Sequence, residues 1–403
     1  MTQVSIKALQ LAKVKGKKIS VKRSLLFAWR FKMRYPSAYL DWYIHVPQLK
    51  YDMRSSGITG FKYNVNLGEA DLSVNYAHGN PETARLLAKR YHVKPENVFI
   101  SSEGASGQNA RVIRYLAERN PEKTEAIVEY PTYEPLLRQV QDHFRIVRRL
   151  ERNEKDRYRL DVDALRMLVS EKTGLLVLTN PHAPSGAIAN LGELKEILAV
   201  AQEHDFFVFC DEIYAEFDRK SIPTVFSIDP ECGIVTTSFT KAYGLGGLKL
   251  GIALAKKELV DEFYMDVLNT VGNSPNVVQL LSSEILAHGT ADMEKHKLKW
   301  MPLKNETEKW FNENKLEYFA NKLSVTYWVK LPIKDTYKWI NEHAIPRYSL
   351  APVPGAFFLF KNDYKLKKSN MARVGIGNIN PDRLDLAEAF ETFGRAMKSY
   401  KGA

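Results

Sequence analysis

The sequence predicts an α/β protein: a mostly parallel sheet with helices on both faces, joined to a smaller α+β domain. Three observations predict it. Short apolar runs alternate with helical runs from about Ser55 to Leu286, the texture changes after Ala291, and 403 residues exceed what one hydrophobic core usually supports. The expected division is an N-terminal segment over 1–50 packing with the small domain, a large domain over 51–290 and a small C-terminal domain over 291–403.

Taken in order, Val98 to Ile100 is an apolar strand followed by a helix from Gly107, and Ala126 to Tyr130 is the next, with a helix from Tyr133. Phe144 to Val147 precedes a helix from Asp161, and Gly174 to Thr179 precedes one from Leu191. Phe206 to Cys210, Ile234 to Ser238 and Leu250 to Leu254 complete the series. In such a sheet ligands gather beyond the carboxyl ends of the strands. Beyond Ala291 come a long charged helix over about Met293 to Asn314, a strand over Tyr318 to Leu331 and a short helix near Tyr337. The Pro354-Gly355 turn, a strand at Arg373 to Ile376 and a final helix from Pro381 close the chain.

Composition narrows the function classes. Hydrophobic content of 45% and charged content of 26% are those of an ordinary globular protein. No stretch is long and apolar enough to span a bilayer and the N-terminus lacks the apolar core of a signal peptide, so no membrane role and a cytoplasmic location are expected. The formal net charge of +11 raises nucleic acid as a partner, but the basic residues are dispersed. The densest cluster, Lys13 to Arg34, interleaves them with Leu25, Phe27, Trp29 and Phe31 and reads as a partner-facing or solvated surface. A positive field also draws small anions such as a phosphorylated cofactor and carboxylate substrates. Cys210 and Cys232 have no metal-ligand or redox spacing, and Cys210 sits inside an apolar run as an inert thiol; no metal site is expected.

The chemistry-bearing residues follow the strands. Gly104-Ala105-Ser106 opens the helix after Val98 to Ile100, which directs backbone N–H groups and the Ser106 hydroxyl at a helix N-terminus, a ready site for a phosphate. Asp211 ends a fully apolar strand, where a carboxylate is costly unless a cation pairs with it. Lys241 lies in Ser238-Phe239-Thr240-Lys241-Ala242-Tyr243-Gly244, after an apolar strand and before a glycine-rich bend, so a sharp turn presents its amine. That is the setting of a Schiff-base lysine.

Together these segments resemble the class I and II, fold type I, aminotransferases that use pyridoxal 5′-phosphate (PLP). The family's lysine signature runs Ser-x-Ser-Lys-x-x-Gly-x-x-Gly-x-Arg-x-Gly, and this chain departs from it with Thr240 for the second serine and Lys249 for the arginine. The resemblance implies an aspartate-aminotransferase-like large domain with a seven-stranded sheet and a homodimer with sites at its interface. It implies that Lys241 holds the cofactor as an aldimine and then serves as general base in ping-pong transamination. Gly104, Ala105 and Ser106 are carried over to the cofactor phosphate, Ser238, Thr240 and Lys249 of the lysine signature to the cofactor, and Tyr76 to the phosphate of the other subunit. Asp211 would pair with the pyridine nitrogen, Tyr214 would bond the phenolate oxygen and Tyr133 would stack on the ring. Arg373 matches the arginine that clamps the substrate α-carboxylate, a task suited to a guanidinium fork.

The loop Asn180-Pro181-His182-Ala183-Pro184-Ser185-Gly186 matches Asn-Pro-x-Asn-Pro-Thr-Gly except at Ala183, where the family has the asparagine that bonds the cofactor oxygen. Asn180 matches the first asparagine and is carried over to the substrate side. Its X-Pro bonds are candidates for cis geometry. Arg30, Arg34 and Arg54 are candidates to accept a dicarboxylate side chain, and the identity of the amino donor stays open. Two other activities also stay open: a PLP-dependent elimination or decarboxylation, and a PLP-binding protein without turnover.

Overall fold

The computed structural model describes residues 37–363, 365–379 and 385–401. Seven strands form the large sheet: β2 (Val98–Ser101), β3 (Glu125–Tyr130), β4 (Ile146–Glu151), β5 (Thr173–Thr179), β6 (Phe207–Asp211), β7 (Gly233–Thr237) and β8 (Gly251–Leu254). Their order is β2-β8-β7-β6-β5-β3-β4, parallel except for β8, which runs antiparallel to both its neighbours. The strand pitch of two sends alternate residues to opposite faces. Ile100, Ile127, Leu176, Val208, Val235 and Ile252 join one apolar cluster, while Phe99, Ala126, Leu175, Phe209, Ile234 and Ala253 join the other.

Helices cover both faces. The chain runs through α1 (Ala38–His45), α2 (Pro81–Tyr91), α3 (Gly104–Arg119), α4 (Glu134–His143), α5 (Val162–Leu168), α6 (Leu191–Glu203), α7 (Lys257–Thr270) and α8 (Asn276–His288). Buried residues of α2 and α6, such as Leu87 and Leu194, pack in the first cluster, and those of α3, α4 and α7, such as Val112, Leu137 and Phe263, in the second.

The second sheet has the order β1-β11-β12-β10-β9, from β1 (Tyr51–Met53), β9 (Tyr318–Phe319), β10 (Thr326–Lys330), β11 (Leu350–Pro354) and β12 (Met371–Gly375). Tyr51–Met53 pairs in parallel with Leu350–Pro352, so the segment assigned from sequence to the start of the large domain belongs to the small sheet. The long helix expected over Met293 to Asn314 is two, α9 (Thr290–Leu298) and α10 (Met301–Glu313). Pro302, in the first turn of α10, has no N–H to continue a ladder from α9, and Trp300 is buried between them. The strand expected over Tyr318 to Leu331 is likewise two, because Asn321 accepts from the Leu323 N–H at 3.0 Å and turns the chain. Of the final helix, Asp385–Lys398 (α11) is described; its expected start at Pro381 and the basic cluster Lys13 to Arg34 lie outside the described residues. None of the described helices is long and apolar enough to cross a membrane.

Candidate active site

Five loops leaving the carboxyl ends of β2, β3, β5, β6 and β7 carry the motif residues to one edge of the large sheet. Gly104 starts α3 with φ +66°, a left-handed conformation that glycine adopts without strain, and its N–H donates to the Lys249 carbonyl at 2.7 Å. That bond brings Lys249, whose side chain is exposed, beside the helix N-terminus as a cation for an anionic ligand. Ala105 is buried and Ser106 exposed at the same first turn. Ser238 and Thr240 share a hydroxyl hydrogen bond of 2.7 Å in the turn that leads to Lys241.

Lys241 is half-buried, and its Nζ donates to Ser56 Oγ at 2.8 Å. The segment around Ser56 approaches so closely that a Cβ on Gly57 would lie 2.6 Å from the Lys241 Cα. Burial first, and then the charges of Arg373 and Lys249, lower the amine pKa to about 8, against an opposing pull from Asp211. Asp211 is buried, and burial raises its pKa; the Asn109 side chain and the Ile213 N–H, at 2.7 and 3.0 Å, act the other way. Tyr214 and Tyr133 are half-buried beside it, their phenol pKa values raised by burial.

Arg373 enters from β12 of the small sheet and is buried. Its Nη2 donates to the Arg54 carbonyl at 2.8 Å and to the Tyr39 hydroxyl at 3.1 Å, while Nε has no hydrogen-bond partner among the described residues. The guanidinium lies 5.4 Å from the Phe358 ring and 5.7 Å from that of Tyr39, which itself packs edge-on to Tyr133. Tyr39 is held there by the start of α1: the Ala38 and Tyr39 N–H groups donate to Glu134 at 3.2 Å, and Ser37 bonds the same carboxylate. Arg373, Tyr214, Ala183 and Pro184 line one small pocket.

Three of the candidate residues, Asn180, Arg54 and Tyr76, behave differently from the rest. Asn180 is buried, with its side-chain oxygen accepting from the Ala189 N–H at 3.0 Å and its amide donating to the Pro223 carbonyl at 3.4 Å, so it fastens its loop rather than facing substrate. Arg54 is closed on Asp52 by two bonds of 2.9 Å and donates to the Tyr43 carbonyl, which leaves no fork for a substrate carboxylate; Arg30 and Arg34 lie outside the described residues. Tyr76 lies in the irregular stretch between β1 and α2, half-buried, and among the described residues its hydroxyl forms no hydrogen bond with the site. In the Asn180 loop both X-Pro bonds are cis. His182, next to Ala183, is buried with its ring nitrogens on Ser185 and the Pro131 carbonyl at 2.7 and 2.9 Å, so it is not a substitute donor for the asparagine that Ala183 replaces.

Sequence reasoning missed Tyr39, Ser56 and Asn109. For Asn109 a signal existed, since an amide on the core face of an amphipathic helix needs a buried partner. Tyr39 and Ser56 carried none, because their partners lie far away in the chain.

The set fits PLP. A helix N-terminus with an adjacent cation suits the phosphate, a buried carboxylate suits the ring nitrogen, and a partly neutral lysine suits the aldehyde.

The chain belongs to the class I and II aminotransferase family, whose model matches residues 65–329. It is 32% identical over 178 residues to histidinol-phosphate aminotransferase 2 of Carboxydothermus hydrogenoformans, covering 43% of this chain and 47% of that one. With the aspartate aminotransferase of Pyrococcus abyssi identity is 24% over 251 residues, 60% of each chain. The chain spans about half the length of the first curated relatives it matches. A PLP-dependent aminotransferase from Streptococcus suis has the same fold, with TM-score 0.77 at 20% identity, covering 92% of this chain and 99% of that one.

Proposed function

We propose that the protein is a PLP-dependent aminotransferase that moves an α-amino group between an amino acid and a 2-oxo acid. The observation that carries this reading is the convergence of Lys241, whose pKa is lowered to about 8, with Asp211 and Arg373, whose charges act on that amine. Bound cofactor would supply the electron sink for a carbanion at the substrate Cα. The α3 N-terminus, Ser106, Ser238, Thr240 and Lys249 would hold its phosphate, Tyr133 would cover its ring, Asp211 would pair with the ring nitrogen and Tyr214 would bond the phenolate oxygen. Arg373 fixes the substrate carboxylate, and the Lys241 amine takes the Cα proton and returns it on the other side of the exchange. Tyr76 would complete the phosphate site of a second copy in a homodimer.

Two observations bear on the donor. Arg54 is bound to Asp52, and the rings of Tyr39, Tyr133 and Phe358 surround Arg373 or pack on its neighbours. Both favour an apolar or aromatic side chain over a dicarboxylate. The test is a single half-reaction: holoenzyme mixed with an aromatic amino acid and no acceptor should yield the 2-oxo acid and pyridoxamine phosphate in equal amounts. Ammonia release with the oxo acid would make it an eliminating enzyme, and an unchanged spectrum with every donor tried would make it a binding protein.

A further inference from the structure

Asp211 and Thr236 are register partners on β6 and β7, so their side chains leave the same face of the sheet at the cofactor edge. Asn109, on α3, reaches into the space between them. Its Nδ2 donates to Asp211 Oδ2 at 2.7 Å, and its Oδ1 accepts from the Thr236 hydroxyl at 2.6 Å. Asp211, Asn109 and Thr236 are all buried, and Asp211 Oδ1 takes the Ile213 N–H at 3.0 Å. With Asp211 ionised only one orientation of the amide is consistent, since a turned amide would set its carbonyl oxygen against a carboxylate oxygen.

We propose that Asn109, oriented by Thr236, is a positioning residue that keeps Asp211 ionised and aimed at the cofactor ring nitrogen. The inference rests on the pairing of Asp211 with that nitrogen. The charged and titratable groups acting on Asp211 are Lys241, Tyr133 and Tyr214, with Cys210 preceding it in the strand. Of these Lys241 alone is a cation, and its amine has to give up its proton before it can attack an aldehyde. Burial pushes the Asp211 pKa up, and the Asn109 bond is the foremost influence pulling it down. Asn109 is five residues beyond Gly104 in the same helix, so α3 addresses the phosphate with its N-terminus and the ring with its second turn.

The test uses holoenzyme loaded with PLP carrying 15N in the ring. In Asn109→Leu the 15N resonance at neutral pH should move toward that of unprotonated pyridine, and the cofactor Kd should rise about tenfold, the loss of one hydrogen bond to a charged group. Thr236→Val, which leaves Asn109 in place, should move the resonance the same way by less, and Thr236→Ser should restore the wild-type position. If Asn109→Leu does not fold, the Thr236 pair carries the test. A wild-type resonance in Asn109→Leu or in Thr236→Val, alongside a displaced one in Asp211→Ala, would overturn the role of Asn109 and leave the Asp211 pairing standing. An unmoved resonance in Asp211→Ala would overturn the pairing and the inference together. A merely structural role would lower the melting temperature without moving the nitrogen.

Discussion

The proton on the Lys241 amine sets the pH at which the apoprotein can take up an aldehyde, since only the neutral amine attacks a carbonyl. Burial and the neighbouring cations lower its pKa, so half the amines are neutral at about pH 8. The rate of PLP capture should therefore climb with pH and level off above about 8, as followed by absorbance. In Lys241→Ala no covalent capture should occur at any pH. If the buried Arg373 guanidinium meets the substrate carboxylate as proposed, Arg373→Ala should cost about 2–5 kcal/mol in kcat/KM, because one charge of a buried pair is left alone. Arg373→Lys should recover part of this, as lysine lacks the planar fork. Steady-state kinetics with several donors checks both, and an unchanged kcat/KM for all of them would place the carboxylate elsewhere. Ala183 lines the pocket beside Tyr214, and its neighbour His182 is fully bonded. An amide there would stabilise the cofactor's phenolate charge, which is fullest once the Lys241 nitrogen joined to the cofactor has lost its proton. Ala183→Asn should thus lower the pKa of that nitrogen by about one unit, the equivalent of one net hydrogen bond, in a spectrophotometric titration.

At the scale of elements, the site depends on how a short helix is fastened. α1 has eight residues, and its first N–H groups and Ser37 are gathered by the Glu134 carboxylate at the start of α4. A helix this short does not hold its own position in water, so docking decides where Tyr39 sits. Glu134→Ala should release the α1 N-terminus and raise the substrate KM roughly tenfold, the worth of about one charge-assisted bond, with kcat and PLP affinity little changed. Glu134→Gln should fall between. A kinetic comparison of the three proteins measures this; an equal loss in kcat would mean that α1 acts on the reaction itself rather than on substrate fit.

At the scale of the whole molecule, the site lies between two sheets. Lys241 and Asp211 come from the large sheet, Arg373 from the small one, and the Ser55 to Gly57 segment passes between them, with Ser56 on the Lys241 amine. The expected homodimer is tested by mixing subunits. If Tyr76 serves the partner's phosphate, a heterodimer of Lys241→Ala and Tyr76→Phe subunits has one intact site and one carrying both defects. Its intact site should bind PLP with wild-type affinity, whereas the Tyr76→Phe homodimer binds more weakly. Weak binding throughout the purified heterodimer would confine Tyr76 to its own subunit.

The order of strands and helices and the placing of Gly104, Asp211 and Lys241 at strand ends were legible because they are local properties. A pitch of two or 3.6, a cap or a glycine turn is written within a few neighbouring residues. Local patterning also joined Met293 to Asn314 into one helix, because charge and periodicity persist across a break made by Pro302 and the packing of Trp300. What only the tertiary structure decided are the meetings of residues remote in sequence: Tyr51 with Leu350, Tyr39 with Arg373, Ser56 with Lys241 and Asn109 with Asp211. It also turned Asn180 and Arg54 to partners inside the protein. Periodicity says which face a side chain takes; which group waits on the other side of that face is fixed by how the layers pack.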